Sequence, residues 1–292
     1  MAAAQQTDWK KEIPHIIVFI ILILVLLVIL TKFKWIHCSQ VPLIPWCSWY
    51  CEMFGKSRVG IVYGGEGMGN PVDLQNEIIN FRYYTVVDPP LPLSTISIGV
   101  LKNYELVILE NAKKITRGQA NALKMYLEQG GNMLWIGDSG TQYYATDEDL
   151  AQARIRNNSE PGYYEAFVRS LNKTSGGFGE LADYLFVKYV ETKPAQPGMT
   201  FNKVNADHLI MSGINESFPL PAVPFTVVTV NQAGTNLLAT IKVGDKEYPA
   251  IIDTRYVGRI VYVSFPIEQV PALAQGRGKY LLTNILDYLV TC

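Results

Sequence analysis

The sequence predicts an α/β protein in which a single N-terminal transmembrane helix precedes a mostly parallel, doubly wound sheet with antiparallel additions. An unbroken apolar run occupies residues 16–30. From residue 58 onwards, continuous apolar segments alternate with helix-like segments, which is typical of a parallel sheet covered on both faces. Towards the C-terminus, several β-like segments follow one another closely, which is typical of antiparallel neighbours.

The apolar run is the first element, and it predicts a transmembrane helix at residues 13–36 after a tail at residues 1–12. With its flanks the run approaches the roughly 20 residues that a hydrocarbon core of about 30 Å requires. Trp9 and Trp35 bracket it, where indole rings favour the membrane interface. The alternative is a cleaved signal peptide, but the run is long for one and no small-residue cleavage site follows. We therefore expect a single-pass protein of the cell membrane, with the lipid bilayer as a partner.

Membrane orientation depends on weaker signals, because lysines are equally frequent at both ends of the apolar run. Three N-glycosylation sequons favour a globular part outside the cytoplasm, and their acceptors are Asn157, Asn172 and Asn215. The four cysteines permit two disulfides in an oxidising compartment, with free or buried thiols as the alternative: Cys38, Cys47, Cys51 and Cys292. No metal site is predicted, because the chain has no Cys-x-x-Cys pair.

Residues 37–57 form a juxtamembrane collar that is apolar and aromatic, with two prolines. Such a segment packs either on the bilayer interface or on the folded domain. The globular part, residues 58–292, is long enough to bury a single core, and its length permits one domain or two small ones. A net charge of −1 gives no electrostatic reason to expect nucleic acid as a partner.

The first half of the globular part alternates strands and helices. A strand at residues 58–65 leads to Asn70 and Pro71, which suit the N-cap and first position of a helix. Thr116 and Gln119 form a capping box at the start of another helix. The predicted strands here are RVGIVYGG, YYTVVD, YELVILEN and NMLWI, and the predicted helices are PVDLQNEIIN and the segment from Thr116 to Gly131.

The second half is less regular at first. Residues 141–224 read as an insertion that forms a lid or partner surface, or a plain structural elaboration, with a helix around residues 163–171 and a strand-like YLFVKYVE. Antiparallel additions are predicted next, before a closing helix KYLLTNILDYLV; their sequences are FTVVTV, TNLLATIKVG, YPAIIDTRY and GRIVYVSF.

Three phrases carry a resemblance to a known family: NMLWIGDSG, ADHLIMSGI and GRIVYVSFPIE. With the order of elements over residues 58–292, they resemble the class I glutamine amidotransferase-like superfold, particularly its ThuA-like, noncatalytic branch. In active amidotransferases the resemblance implies a nucleophilic Cys at a G-x-C-x-G turn and a His in a phrase such as FHPE. Here Ser139 stands in place of the Cys, Thr141 replaces the second Gly, and the late phrase, residues 265–268, contains no His.

These departures decide the expected chemistry. A serine hydroxyl needs a base to become nucleophilic, and His208 is the only histidine of the globular part. Ser139 with His208 and an acidic partner is therefore the one catalytic arrangement left open, and a packing or capping role for His208 is the better interpretation. No enzyme activity and no cofactor are expected.

The glycine-rich loop at residues 64–70 is the other candidate site, because glycines let a backbone approach a ligand at a helix N-terminus. Asp88 follows at a distance that would suit a ribose hydroxyl, but the loop lacks the G-x-G-x-x-G spacing, so a tight structural turn is the better interpretation. A ligand, if one binds, is expected at the strand ends, as a sugar or another polar small molecule. The candidate ligand-binding residues are Gly65, Gly67, Glu110, Asn111, Asp138 and Ser139.

The favoured hypothesis is a catalytically silent, membrane-anchored domain that acts as a binding or scaffolding subunit, with protein partners, in a membrane or cell-surface complex. The alternatives are a membrane-anchored serine hydrolase using Ser139 and a structural envelope protein.

Overall fold

The computed structural model describes residues 9–32, 41, 46–81, 85–174, 177–231, 234–270 and 277–290. The chain divides into two compact units: an N-terminal unit, residues 1–55 with 291–292, and an α/β unit, residues 56–290. The helices of the described ranges are α1 (Trp9–Lys32), α2 (Trp46–Phe54), α3 (Pro71–Phe81), α4 (Ile98–Leu101), α5 (Arg117–Glu128), α6 (Asp147–Ser159), α7 (Tyr163–Thr174), α8 (Ala182–Leu185) and α9 (Arg277–Leu289). The strands are β1 (Arg58–Tyr63), β2 (Val86–Val87), β3 (Leu91–Pro92), β4 (Leu106–Leu109), β5 (Lys114–Thr116), β6 (Asn132–Ile136), β7 (Gln142–Tyr144), β8 (Val187–Lys193), β9 (Met199–Lys203), β10 (Ser217–Pro219), β11 (Phe225–Val230), β12 (Thr235–Val243), β13 (Lys246–Arg255) and β14 (Arg259–Val263).

Two helices make up the described part of the N-terminal unit. By length and composition, the 20 residues Ile13–Lys32 of α1 could cross a membrane, a test that a signal sequence also passes. Residues 33–36 of the predicted span lie outside the described ranges. Helix α2 packs against α1 through Trp46, Tyr50 and Cys51.

The α/β unit is built on a ten-stranded sheet with the order β10-β9-β12-β13-β14-β6-β4-β1-β2, and β3 also pairs with β1. Strands β2, β1, β4, β6 and β14 are mutually parallel, whereas β13, β12, β9 and β10 continue the sheet by antiparallel pairing. This arrangement confirms the predicted mostly parallel core with antiparallel additions.

Both faces of the sheet are buried. Strands β4 and β6 are buried at every position, because helices cover the side chains that point to either face. Leu134 and Ile136 of β6 belong to the hydrophobic cluster that contains residues of α3 and α9, whereas Met133 and Trp135 belong to the cluster that contains residues of α5. The alternation of side chains along one strand therefore divides the core into two layers.

Two helix starts form as the sequence predicts. Thr116 accepts a hydrogen bond from Gln119 N, and the Gln119 side chain accepts one from Thr116 N, which completes the capping box of α5. Asn70 Oδ1 accepts hydrogen bonds from Val72 N and Asp73 N at the start of α3. Both caps satisfy N–H groups that lack a partner within the helix.

Several strand predictions need correction. Strand β11 does not join the central sheet; it pairs with β8 in a separate two-stranded ribbon. Strand β8 begins only at Val187, because Tyr184 and Leu185 lie in α8 and Phe186 ends that helix in the left-handed conformation. Part of the insertion at residues 141–224 extends the sheet, since β9 and β10 lie at its edge.

Candidate functional site

The glycine-rich loop after β1 is held against the segment that follows β4. Gly64 N donates to Asn111 O at 2.9 Å, Asn111 N donates to Met68 O at 2.9 Å, and Lys113 N donates to Glu66 O at 2.7 Å. These bonds continue the pairing of β1 and β4 beyond the strand ends. The loop is thus fixed at the point where β1 has neighbours on opposite sides, the place where open α/β sheets bind ligands.

The side chain of Asp138 holds the glycine-rich loop in place. It lies in the turn after β6 and is 2% exposed, and its Oδ1 accepts a hydrogen bond from Met68 N at 3.0 Å. Its Oδ2 lies 3.1 Å from Lys113 Nζ. The carboxylate therefore links three segments of the chain, so the structure assigns it a structural contact and leaves it little freedom to bind a ligand.

Ser139 is buried in the same turn, with no exposed surface. Its Oγ accepts a hydrogen bond from Ala112 N at 3.4 Å, and its carbonyl accepts one from Trp135 Nε1 at 2.8 Å. A nucleophile must reach both a substrate and a base. The surroundings of Ser139 provide neither access for a substrate nor, within the described residues, an imidazole.

His208 belongs to a different cluster. Its Nε2 lies 3.4 Å from Asp253 Oδ2, and its Nδ1 accepts a hydrogen bond from Ile210 N at 3.3 Å. Tyr288 OH donates to the same Asp253 oxygen at 3.2 Å. With both ring nitrogens engaged, His208 caps a short helical turn and fastens it to the sheet and to α9.

The strand register shows how far apart Ser139 and His208 lie. Asp253 pairs with Val261, and Val261 pairs with Leu134. Since neighbouring strands are about 4.8 Å apart, Asp253 lies about 10 Å from Leu134 across the sheet. Ser139 lies still further along, five residues after Leu134 and beyond the end of β6. His208 is therefore too far from Ser139 for proton transfer, which needs a contact of about 3 Å.

A buried pair of carboxyl groups lies beside the loop. Glu110 follows β4 and has no exposed surface, and among the described residues no N–H or O–H donates to either of its carboxyl oxygens. Burial, and then the charge of Glu268, raises the pKa of Glu110 well above its usual range. Burial also raises the pKa of Glu268, although the hydrogen bond from Asn70 N offsets part of the rise. Both carboxyl groups therefore favour the protonated form more than an exposed carboxyl group does, and Glu110 does so the more strongly.

The position of Gly69 beside Glu110 leaves no room for a side chain. Its φ is +98°, and a Cβ at this position would lie 2.4 Å from Glu110 Oε1. Asn70 N, the next N–H along, donates to Glu268 Oε1 at 3.0 Å. The glycine pattern of the loop thus reflects close packing over Glu110, as the sequence interpretation of a tight structural turn expects.

An open cleft of about 470 Å³ lies beside the loop, on the side of β5 and β7. Tyr63 and Tyr144 contribute aromatic rings, and Glu66 and Lys114 form an exposed ion pair at 2.8 Å. Ser94 and Gln119 also line the cleft. Rings with a few polar groups and a neutral ion pair suit an uncharged polar ligand better than an anion.

The predicted ligand-binding residues lie at the strand ends, where they differ in exposure, and their role as a ligand site stays a prediction. Glu110, Asp138 and Ser139 are buried below the loop, whereas Gly65 is exposed. Asn111 adopts a positive φ of 48°, which Asn tolerates, and its backbone bonds the loop. Asp88 is paired with Arg58 and accepts a hydrogen bond from Tyr104 OH, so it is not free for a ribose.

The predicted modification sites differ in their surroundings. Asn215 is exposed, whereas Asn157 Oδ1 accepts a hydrogen bond from Tyr164 N at 3.0 Å. Cys51 is buried and disulfide-bonded. The side chains of Asn172, Cys38, Cys47 and Cys292 lie outside the described part of the chain. Within the described ranges, no group of three or more His, Cys, Asp or Glu side chains could hold a metal ion.

Sequence reasoning missed Glu268 as the partner of Glu110, and it missed the aromatic cleft. The only signal for Glu268 was its place directly after the last strand, where the resembled enzymes carry a catalytic phrase. Tyr63 and Tyr144 gave no signal, because they end two strands, β1 and β7, that are far apart in the sequence and do not pair with each other.

The fold is similar to several solved structures. A protein from Bacteroides uniformis described as ThuA-like has a TM-score of 0.54 and 16% identity, over 80% of this chain and 91% of that one. A cold-adapted β-galactosidase from Rahnella sp. R3 has a TM-score of 0.54 and 15% identity, over 79% of this chain but only 31% of the enzyme. A cytoplasmic protein from Salmonella typhimurium LT2 has a TM-score of 0.50 and 11% identity, over 80% of this chain and 98% of that one.

No family model and no curated protein matches the sequence. The structural likeness confirms the ThuA-like resemblance at the level of the fold, and at these identities it carries no activity to this chain.

Proposed function

We propose that this chain is a noncatalytic, membrane-anchored domain that acts as a binding or scaffolding subunit of a membrane or cell-surface complex. The observation that carries the proposal is the state of Ser139. It is buried, its hydroxyl is bonded to a backbone N–H, and His208 is engaged elsewhere. A domain with this fold and no working nucleophile contributes surfaces for binding.

The cleft beside Tyr63 is the proposed binding site for a sugar or another polar small molecule. Tyr144, which is 41% exposed, offers a ring on which a sugar can stack. The Glu66 carboxylate and the Lys114 ammonium can exchange part of their mutual bonding for bonds to hydroxyl groups. Because these charges cancel, the ion pair gives a charged ligand no net attraction, which favours an uncharged polar ligand.

Helix α1 supports the membrane anchor, with 20 residues that match the thickness of a hydrocarbon core. The disulfide at Cys51 supports an extracytoplasmic location for the globular part, since disulfides persist in oxidising compartments. The exposed acceptor Asn215 is compatible with the same location.

The anchor is tested by alkaline carbonate extraction of membranes that contain the full chain. The wild type should remain in the pellet, whereas Leu22→Arg with Leu26→Arg should be released, because each Arg at the centre of a span costs about 2.5–3.5 kcal/mol. Val72→Arg with Ile79→Arg, two exposed aliphatic residues of α3, is the matched control and should remain membrane-bound. Release of the wild type would refute the anchor.

The subunit role is tested by mild detergent extraction of the native protein, followed by sizing and mass spectrometry. Stoichiometric companion proteins are the expected result. A solitary chain would contradict the subunit role, and a large self-assembly would favour an envelope protein instead.

The cleft is tested separately by calorimetric titration of the purified full chain with a panel of neutral oligosaccharides. Tyr144→Ala should abolish any binding, whereas Tyr256→Ala, which removes a similarly exposed tyrosine, should leave it unchanged. Equal loss in both variants would contradict the assignment of the site to this cleft.

A further inference from the structure

We propose that α2 lies within the membrane beside the last turns of α1, so that Trp49, Met53 and Phe54 contact lipid. This inference rests on the proposed membrane anchor and extends it. It makes the juxtamembrane collar a second membrane-embedded element and gives its aromatic composition a physical role.

The position of α2 along α1 is the first observation. Trp46, Tyr50 and Cys51 pack against α1 in a cluster that includes Leu24 and Val28. At 1.5 Å per residue, Leu24 lies about 12 Å before the end of α1 at Lys32. If the span is cut off at Leu24, about 12 residues remain, which is too short for a hydrocarbon core of about 30 Å. A spanning α1 therefore carries the packed part of α2 below the membrane surface.

The polar groups at this contact form the second observation. Trp46 Nε1 donates a hydrogen bond to Thr31 Oγ1 at 3.0 Å, and both residues are buried. An N–H or hydroxyl group without a hydrogen-bond partner costs several kcal/mol in hydrocarbon, where no water can pair with it. The bond between Trp46 and Thr31 avoids that cost. The pair is suited to a place that water does not reach.

The uncovered face of α2 is the third observation. Trp49 is 56% exposed, Met53 66% and Phe54 48%. Trp49 and Met53 are four residues apart and share one side of the helix. Glu52 is the only acidic or basic residue of α2, and it is exposed. Three large apolar side chains beside one charge are typical of a helix at the boundary between acyl chains and headgroups.

Lipid is the occupant that fits these observations together. The exposed side chains of α1, among them Leu26 and Ile29, lie in the same stretch of α1 that α2 contacts. A bilayer around α1 at this depth therefore also surrounds the outer face of α2. The depth of α1 in the bilayer by itself places lipid around Trp49. It gives no reason to expect a protein partner or a second copy of the chain at that position.

The test measures tryptophan fluorescence of the full chain in phosphatidylcholine vesicles whose acyl chains carry bromine, a short-range quencher. Emission of Trp49 is obtained by subtracting the spectrum of Trp49→Phe from that of the wild type. This difference emission should be lost in brominated vesicles, and more completely with bromine near the headgroups than with bromine near the chain ends. Tyr256→Trp in the Trp49→Phe background adds an exposed indole of the α/β unit, which should keep its emission.

Carbonate extraction of the same vesicles separates the two proposals. If the chain stays with the vesicles and Trp49 is not quenched, α2 lies outside the bilayer, so the inference is wrong while the anchor stands. If the chain is released by carbonate, the anchor itself fails and the inference fails with it.

Discussion

The turn at Ser139 and the cluster at His208 contain between them the three groups of a catalytic triad, but in two separate places. At the turn, a serine hydroxyl accepts a hydrogen bond from a backbone N–H, and no base contacts it within the part of the chain that the structure describes. At the cluster, an imidazole and a carboxylate are paired around Asp253 and have no nucleophile. Each group instead stabilises its own part of the fold. A serine or a histidine therefore indicates catalysis only where the other groups of the triad are in contact with it.

The largest expected effect comes from β6, the strand that leads into the turn at Ser139. Leu134→Ala should lower the free energy of unfolding by about 2–5 kcal/mol, because Leu134 is fully buried in β6 and the change leaves a cavity. Urea unfolding followed by Trp135 fluorescence measures it. Ile155→Ala, at an exposed position of α6, is the control and should cost less than about 0.5 kcal/mol. A similarly small cost for Leu134→Ala would contradict the buried parallel strand.

The cluster at His208 can be broken through its carboxylate. Asp253→Ala should cost about 1.5–3 kcal/mol, because it removes the acceptor of hydrogen bonds from Tyr288 and Asn236 and the partner of His208. The same urea titration reports the loss. A free energy of unfolding that is unchanged in Asp253→Ala would contradict the structural role of the cluster at His208.

The pH dependence of stability tests the carboxyl pair beside the turn. Burial raises the pKa of Glu110 in the folded chain above its value in the unfolded chain, so stability should fall as the pH rises above the usual range of a carboxyl pKa. The slope is at most about 1.4 kcal/mol per pH unit for each extra proton bound. Glu110→Gln should remove this loss and be more stable than the wild type at pH 8, but not at pH 4.

Glu66→Gln is the matched control for this measurement, since Glu66 is exposed and bound to Lys114. It should leave the slope of stability with pH unchanged. A wild-type stability that rises from pH 5 to pH 8, with no difference in Glu110→Gln, would contradict a raised pKa of Glu110 in the folded chain.

The smallest expected effect is the coupling between the two places. Ser139→Ala and His208→Gln should be additive in the free energy of unfolding to within about 0.5 kcal/mol, because distant residues with no shared partner act independently. A double-mutant cycle measures the difference. Coupling well above this value would mean that the two side chains interact, as they would in a triad.

The sequence predicted those features that depend on neighbours along the chain. The capping box at Thr116 is set by one residue three positions on, and the buried strands β4 and β6 are continuous apolar runs. The parallel arrangement followed from the alternation of such runs with helices.

The features that were missed depend on pairing across long distances. Glu110 and Glu268 meet because β4 and β14 are separated by a single strand, β6, in the sheet. Strand β11 has the same β-branched pattern as its neighbours in sequence, and only its pairing with β8 removes it from the central sheet. Local pattern shows that a segment is a strand, but not which strand it pairs with.

The central claim is that Ser139 is not a nucleophile, and labelling of the full-length protein with a serine-reactive fluorophosphonate probe tests it most directly. We expect no probe on the peptide that contains Ser139, in the wild type as in Ser139→Ala. Stoichiometric labelling at Ser139 that disappears in Ser139→Ala would contradict the account, and it would favour a serine hydrolase.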